Sequence, residues 1–441
     1  RSLILQEQNN LGDDTQAIAN ILNGIYGPGS YARSVLNGAT LGAGRPALVY
    51  NTKTVSLISE MQLGTTSPSG PARAPMRYQL RPVGYDASAD FYVYASHYHS
   101  SSASRRLVEA QLVRSSVDAL GEGAHVIHAG DFNITSSTAT MYQHLLSSGS
   151  GQFFDPISAS GSWKDNIAFR GTHTQNPAGT GFVGGGMDDR FDFQLVTGEL
   201  LDGEGLSYVP GSYHAFGNNG THALNGHINT GNGASLDVLN ALGQASDHLP
   251  VVAQYQVPAK MSLGMSSVPT QVLVGTALNA QIQIANAAGD GVLVASPSGA
   301  DELHYAVQAS GGASGSTTGS DFAFGSFNSH AFTLDTSAAG ISVAQFDVSA
   351  TSPQVPDPVQ TQEMQYSVLD HSNASFSSES DVNQLLVDFG LAPLGGSVQA
   401  EFSIHSLEES PDFTASLDLL SISGSGDTNA FAVDIAPFQD G

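Results

Sequence analysis

His125-Val126-Ile127-His128-Ala129, followed at once by Gly130-Asp131-Phe132-Asn133, decides how this chain is read. The first five residues read as a buried strand. Period-two alternation beyond it sends Asp131 and Asn133 to one face and anchors Phe132 in the core. A carboxylate beside an amide can hold a water and a phosphoryl oxygen; the same tetrapeptide, rich in turn formers, also reads as a plain turn. Ser246-Asp247-His248 stands in the same way against the apolar run that starts at Leu249. An imidazole there titrates near neutrality and suits proton transfer, although Asp-His alone is equally a capped loop.

Working outward, strands and helices alternate through the first half. Leu3-Ile4-Leu5 reads as a short strand, followed by Asp13-Asp14-Thr15 as a helix cap and a helix through Ile25. Ala47–Tyr50 and Thr54–Ile58 read as a hairpin around Asn51-Thr52-Lys53. Phe91–His97 is a strand, and Ser104 opens a helix that Gly121 stops. Arg190–Val196 and Leu249–Tyr255 complete the strands of this half. Residues 216–233 form a long Gly/Asn loop, either functional or a plain surface excursion.

Composition divides the 441 residues in two. Lys and Arg number 14 against 40 Asp and Glu, a net charge of −26. All 14 basic residues and about 20 acidic ones precede residue 261; the other 20 or so acidic residues follow it with no Lys or Arg. Such a balance excludes a strongly basic nucleic-acid scaffold. With 0 cysteines, disulfide frameworks, thiolate metal sites and thiol catalysis are excluded too. No apolar run reaches transmembrane length. Low charge, no Cys and abundant Gly, Ser and Asn suit a secreted, extracellular or periplasmic protein. The chain opens at Arg1 directly into a strand, the pattern of an N-terminally truncated or processed chain.

Leu5-Gln6-Glu7, Ser96-His97, Gly130-Asp131-Phe132-Asn133, Arg190-Phe191-Asp192-Phe193 and Ser246-Asp247-His248-Leu249-Pro250-Val251 stand in an order that resembles the endonuclease/exonuclease/phosphatase superfamily. The resemblance covers residues 1–257. It implies an α+β four-layer sandwich, two packed β-sheets flanked by helices. It further implies that Glu7 and Asp247 ligate a divalent metal, Mg²⁺ with Mn²⁺ or Ca²⁺ as alternatives. Asp131 would orient or deprotonate the attacking water, and Asn133 would contact a phosphate oxygen. His248, held in tautomer by Asp192, would face the scissile phosphate, with His97 on the opposite side. Asp189 competes with Asp192 for that partnership, and His99 is either a second phosphate contact or a solvated strand end. The family's first strand carries a metal-binding Asn, and this chain begins after that strand. Where pancreatic-type deoxyribonucleases have Arg-Glu-Pro, this chain has Arg73-Ala74-Pro75.

Beyond Pro258, short alternating strands such as Ala280–Ile284 and Ser342–Val348 predict an all-β sandwich over residues 258–360. Ser352–Pro358 reads as a linker. Leu385–Phe389, Val398–Phe402 and Leu417–Leu420 predict a second β-rich domain, or a continuation of the sandwich, over 361–441. Asp370–Phe376, Val387–Gly390 and Ser421–Asp427 resemble accessory β-domains of secreted planctomycete-type bacterial proteins. The functional expectation is a metal-dependent phosphoesterase acting on a phosphate ester, whether nucleic acid, phospholipid or small phosphoester. The alternative is a binding or structural protein that keeps the fold without turnover. Arg73, Arg77, Arg81, Arg105, Arg106 and Arg114 could form a local basic rim or be scattered solubilising charges. Oligomeric state is not legible.

Overall fold

The structure, a computed structural model, describes residues 1–42, 44–290, 294–408, 410–426 and 428–435. The first half contains, in order, β1 (Ser2–Gln8), α1 (Gln16–Tyr26), β2 (Tyr31–Arg33), β3 (Arg45–Asn51), β4 (Val55–Gln62), β5 (Met76–Pro82), β6 (Phe91–His97) and α2 (Ala103–Asp118). There follow β7 (Val126–Asp131), α3 (Thr140–Leu145), β8 (Phe153–Phe154), β9 (Asp192–Thr197), β10 (Ser207–Tyr208), β11 (His214–Ala215), α4 (Leu236–Ala245), β12 (Val251–Val252) and β13 (Tyr255–Gln256). One sheet has the order β1-β3-β2, and a larger one β4-β5-β6-β7-β9-β8.

Strand alternation explains how these stack. Val93, Ala95, Ile127, Ala129 and Val196 of the larger sheet meet Ile4, Leu48 and Tyr50 of the smaller in one apolar layer. On its other face the larger sheet sends Tyr94, Val126, Phe193 and Leu195 against Ala110, Val113 and Val117 of α2 and Met141 and Leu145 of α3. The smaller sheet buries Val49 and Leu5 against Ile18, Ala19 and Leu22 of α1. Helices therefore cover the outer face of each sheet.

Three local expectations change. β3 and β4 are not a hairpin: β3 pairs with β1 and β2, whereas β4 pairs with β5. The turn at Asn51 moves the chain from one sheet to the other, because apolar residues on both sides satisfy either pairing. Asn10, not the Asp13–Thr15 segment, caps the helical region of α1, its side chain accepting from Gly12 N–H. Ser102, two residues before Ser104, caps α2. The 216–233 loop is knitted to its surroundings: Asn218 Nδ2 donates to the carbonyls of Arg170 and His173, and Asn219 and Thr221 bond Asn232.

The second half adds β14 (Met261–Met265), β15 (Gln271–Leu273), β16 (Asn279–Asn286), β17 (Leu303–Gly311), β18 (Ser316–Asp321), β19 (Asn328–Thr333), β20 (Gly340–Ala350), β21 (Val359–Leu369), β22 (Ala374–Ser375) and β23 (His405–Ser406). The sheets β14-β16-β19 and β15-β21-β20-β17-β18 share one core that includes Ile282, Ile284, Phe332, Tyr305, Phe346, Val348 and Tyr366. The boundary expected near 360 falls inside β21, which pairs along the length of β20. Ser352–Pro358 is a contact arm and not a free linker. Gln354 Oε1 accepts from Leu206 N–H at 2.8 Å and its Nε2 donates to the Ser88 carbonyl at 2.9 Å. Gly205 has φ 54, and a Cβ there would stand 2.4 Å from Gln354 Oε1, so a side chain at this position would strain the backbone and displace the Gln354 amide. The strands expected at Leu385–Phe389, Val398–Phe402 and Leu417–Leu420 do not form. Leu386 and Leu420 are exposed, and among the described residues no segment pairs with them as a strand; alternation marks a face to bury but supplies no partner for it. Asp427, the end of the Ser421–Asp427 segment, lies outside the described residues.

Near the β8–β9 edge, Arg190 is buried and bidentate on Asp155, at 2.8 and 3.0 Å, with its guanidinium 4.3 Å over the Phe193 ring and 5.3 Å from that of Trp163. Removing one partner of such a pair strands a charge in the interior. Asp155→Ala should therefore destabilise this half by about 3–5 kcal/mol. Trp163 is the single tryptophan of the chain, so its fluorescence in a urea titration reports the unit directly; an unchanged midpoint would contradict the assignment.

Candidate active site

Register across three strands builds the site. β6 and β7 run parallel with His97 opposite Asp131, and β7 and β9 run antiparallel with Asp131 opposite Asp192. Since the side chains of each strand alternate, these three residues continue the row that faces the smaller sheet, at the end where apolar residues stop. Gly130 permits the approach. Its φ is 143, and a Cβ there would stand 1.9 Å from the Ser96 carbonyl oxygen.

The smaller sheet contributes Glu7 through a β-bulge. Leu5 pairs with Ala47 and Gln8 with Arg45, so Gln6 and Glu7 together oppose Pro46. Proline has no N–H to offer the ladder, which suits it to a bulge. Glu7 adopts φ 59, and its exposed carboxylate comes 3.9 Å from His97 Nε2. His97 Nε2 is in turn 3.4 Å from Asp131 Oδ2.

His248 completes the row from outside the sheet. Thr174 Oγ1 accepts from the N–H groups of Phe191 and Asp192, and its carbonyl accepts from Leu249 N–H at 2.8 Å. One residue thus ties the start of β9 to the segment that carries His248. His248 Nδ1 lies 2.7 Å from Asp192 Oδ2. The competition between Asp189 and Asp192 is resolved by geometry: Asp189 Oδ2 pairs with Lys164 Nζ at 2.9 Å. Asp247 is half-buried beside His248.

Asn133 sits elsewhere than strand alternation predicts. β7 ends at Asp131, and Asn133 has φ 51. The carboxylate of Asp131 accepts from Asn133 N–H at 2.8 Å and from its Nδ2 at 2.6 Å, and Nδ2 also donates to the Tyr98 carbonyl at 3.1 Å. Both amide hydrogens are spent, so Asn133 holds Asp131 instead of presenting a donor to a phosphate. The expected turn and the expected pairing of carboxylate and amide are both present, through a two-residue side-chain turn.

Gln175 was not anticipated. Its Nε2 lies 2.9 Å from His248 Nε2, and its backbone bridges to His248 and Asp189. It belongs to an irregular segment with no period and no motif, so nothing in the sequence marked it.

The electrostatics separate three roles. Burial pushes the Asp131 carboxyl up, reinforced by Asp192 and Glu7 and opposed by His248 and the Asn133 N–H, to about 7. Burial works against a charge on His248, yet the adjacent Asp192 carboxylate, with Asp131 and Asp247, pushes it up to about 10. Burial, with Arg73 and His248, pushes His97 down to about 3, so it stays neutral. The row thus holds a carboxyl poised near neutrality between an imidazolium and a neutral imidazole. A group that gains and loses a proton near pH 7 suits general base chemistry, and a cation beside it stabilises developing negative charge.

No family model matches the chain, and no curated protein does. Solved structures that align with it include the catalytic domain of human nocturnin, at 15% identity over 47% of this chain and 71% of that one, TM-score 0.34. A mannosyl-6-phosphatase of Bacteroides thetaiotaomicron aligns at 14% identity over 58% of this chain and 84% of that one, TM-score 0.35. An endonuclease/exonuclease/phosphatase from Bacteroides vulgatus aligns at 12% identity over 58% and 99%, TM-score 0.35. These likenesses are loose, and the chemistry of the site is read from its own side chains.

Asp192→Asn keeps the shape of the His248 partner and removes its charge. Because burial then acts with less opposition, the His248 pKa should fall from about 10 toward its ordinary value of 6.5. A raised histidine pKa contributes stability that is complete below about pH 6.5 and is lost as pH rises through about 10. The variant should therefore lose that alkaline slope. Histidine ring NMR and urea midpoints from pH 6 to pH 10 check both; a His248 titration that does not move refutes the pairing.

Proposed function

We propose that residues 1–257 form a divalent-metal-dependent phosphoesterase, with the two sheets and their outer helices as a four-layer sandwich, and that residues 258–441 are accessory. The observation that carries the reading is the row His97–Asp131–Asp192–His248, which places a poised carboxyl, a carboxylate-held imidazolium and a neutral imidazole at one end of the inter-sheet layer. An extracellular or periplasmic location belongs to the same reading, supported by the cysteine-free, weakly charged composition. Among the described residues no helix is long and apolar enough to cross a membrane.

In this reading Asp131 takes the proton of the attacking water. Asn133 clamps the Asp131 carboxylate so that its free lone pairs face the gap. His248, kept charged by Asp192 on its Nδ1 side, sets its positive charge beside the phosphoryl group and offsets the charge that builds on the pentacovalent phosphorus. His97 donates or accepts a hydrogen bond on the other side of Asp131 without adding charge. Gln175 lies on the Nε2 side of His248, where its side-chain oxygen, with the amide turned over, accepts from the charged ring.

The metal is tested by the donors. Among the described residues no three His, Asp or Glu side chains converge as a closed cage. What remains are two hard oxygen donors, the exposed Glu7, 3.9 Å from His97, and the half-buried Asp247, next to His248 in the chain. Mg²⁺ keeps several waters when bound by one or two carboxylates, so these residues fit a weak, exchangeable, mostly water-ligated Mg²⁺, with Mn²⁺ or Ca²⁺ as substitutes. Bound there, the ion would supply positive charge to the phosphoryl oxygens.

Hydrolysis of bis(p-nitrophenyl) phosphate with Mg²⁺, abolished by a chelator, tests the reading. Asp131→Ala should lower kcat by on the order of 10²-fold or more with folding intact; wild-type turnover in that variant would remove the base. Glu7→Gln should raise the Mg²⁺ concentration for half-maximal rate more than it changes KM, and equal shifts would place the metal elsewhere. Phosphate-ester binding without turnover under any divalent ion would favour the non-catalytic alternative.

A further inference from the structure

The six arginines that precede α3 and follow β4 divide into two sets. Arg81 pairs with Asp90, Arg114 pairs with Asp118 and donates to carbonyls between residues 144 and 148, and Arg77 lies 5.5 Å over the Tyr92 ring. The other three, Arg73, Arg105 and Arg106, all act on His99, two residues beyond His97, in a chain whose net charge is −26.

His99 is their centre. Its Nδ1 accepts from the N–H groups of Ser101 and Ser102, each at 3.1 Å. That fixes the tautomer: the proton of the neutral ring must sit on Nε2, as a donor. Arg106 Nη1 donates to the carbonyls of His99 at 2.7 Å and Ser100 at 3.0 Å. Arg105, in the first turn of α2, donates from Nε to the Gly70 carbonyl at 2.7 Å and from Nη2 to the Ser67 carbonyl at 3.0 Å. Both guanidiniums are thus held in place by carbonyls, which orient them without neutralising them. The Arg73 side chain lies against Gly44, beside the Glu7 backbone. Burial and the charges of Arg105, Arg73 and Arg106 all hold the His99 pKa below its ordinary value, which places three cations around one half-buried imidazole. Glu109, buried nearby, is pushed well above the carboxylate range by burial, opposed by the charges of Arg73 and Arg105.

We propose that His99, Arg105 and Arg106, with Arg73 at the rim, form a subsite for a second phosphate group of the substrate, next to the scissile one. Preorganised guanidiniums and a fixed imidazole N–H match the oxygens of a phosphate. The position, two residues beyond His97 along the chain, sets the second phosphate close to the first. This rests on the phosphoesterase reading and narrows it to esters that carry at least two phosphates.

Histidine-labelled protein titrated without metal tests it at the subsite itself. Inorganic phosphate stands in for a terminal monoester and dimethyl phosphate for a neighbouring diester. The His99 ring signals should shift saturably with at least one of them, and whichever binds more tightly identifies the natural occupant. R105Q/R106Q should weaken that binding by about tenfold or more, the scale of losing a charged hydrogen-bond partner, and R105K/R106K, which keeps the charge and loses the guanidinium fork, should recover it only in part. A His99 signal that ignores both anions, or equal affinity in R105Q/R106Q, overturns the subsite. Saturable binding at His99 in a protein that hydrolyses neither bis(p-nitrophenyl) phosphate nor an ester carrying two phosphates, with Mg²⁺ present, would uphold the anion subsite and strike the hydrolytic reading alone.

Discussion

Everything at the site depends on the register of β6, β7 and β9. A one-residue slip of any of these strands would turn its polar end from the inter-sheet layer to the helix layer. His97, Asp131 and Asp192 would then no longer share a face. The register is held by apolar side chains on both faces, with Val93, Ile127 and Val196 toward the smaller sheet and Tyr94, Val126 and Leu195 toward the helices. At the polar end it is held by Gly130, whose missing side chain leaves room for the Ser96 carbonyl. The chemistry is therefore an extension of the packing.

The polar residues around that row are braced from outside it. The buried Asp155–Arg190 pair fixes the approach to β9, two residues before Asp192. Thr174 then joins β9 to the His248 segment with three hydrogen bonds. The shared charge pattern follows: Asp131 and His248 take their shifted proton affinities from burial and from Asp192, so neither value belongs to one residue alone.

The sequence announced most of this where local pattern and tertiary structure agree. Strand boundaries flagged Glu7, His97, Asp131 and His248, because a rigid apolar strand that meets a polar group holds that group at the rim of the core, where sites are commonly built; Asp192 entered only through the family resemblance. Asn133 was flagged for its position but misread in its conformation: alternation cannot say where a strand ends, and the left-handed backbone at Asn133 reverses its side chain. Gln175 and Thr174 were invisible because they act from an irregular segment that has meaning only beside β9 and His248. β3 and β4 were misjoined since a turn between two apolar runs does not say whether they pair with each other. The runs beyond residue 380 show the opposite failure, a strand pattern without a partner strand.

The bulge at Glu7 has a mechanical consequence. Glu7 is carried by one sheet and Asp131 by the other, so the gap between them is a thickness, set by the apolar layer that separates the sheets. Leu48, Met76 and Tyr78 are then spacers as much as core residues, working like shims under a jaw. Trimming or enlarging one of them changes the aperture of the site from its far side, without touching a polar group, and so sets the distance between the two carboxylates.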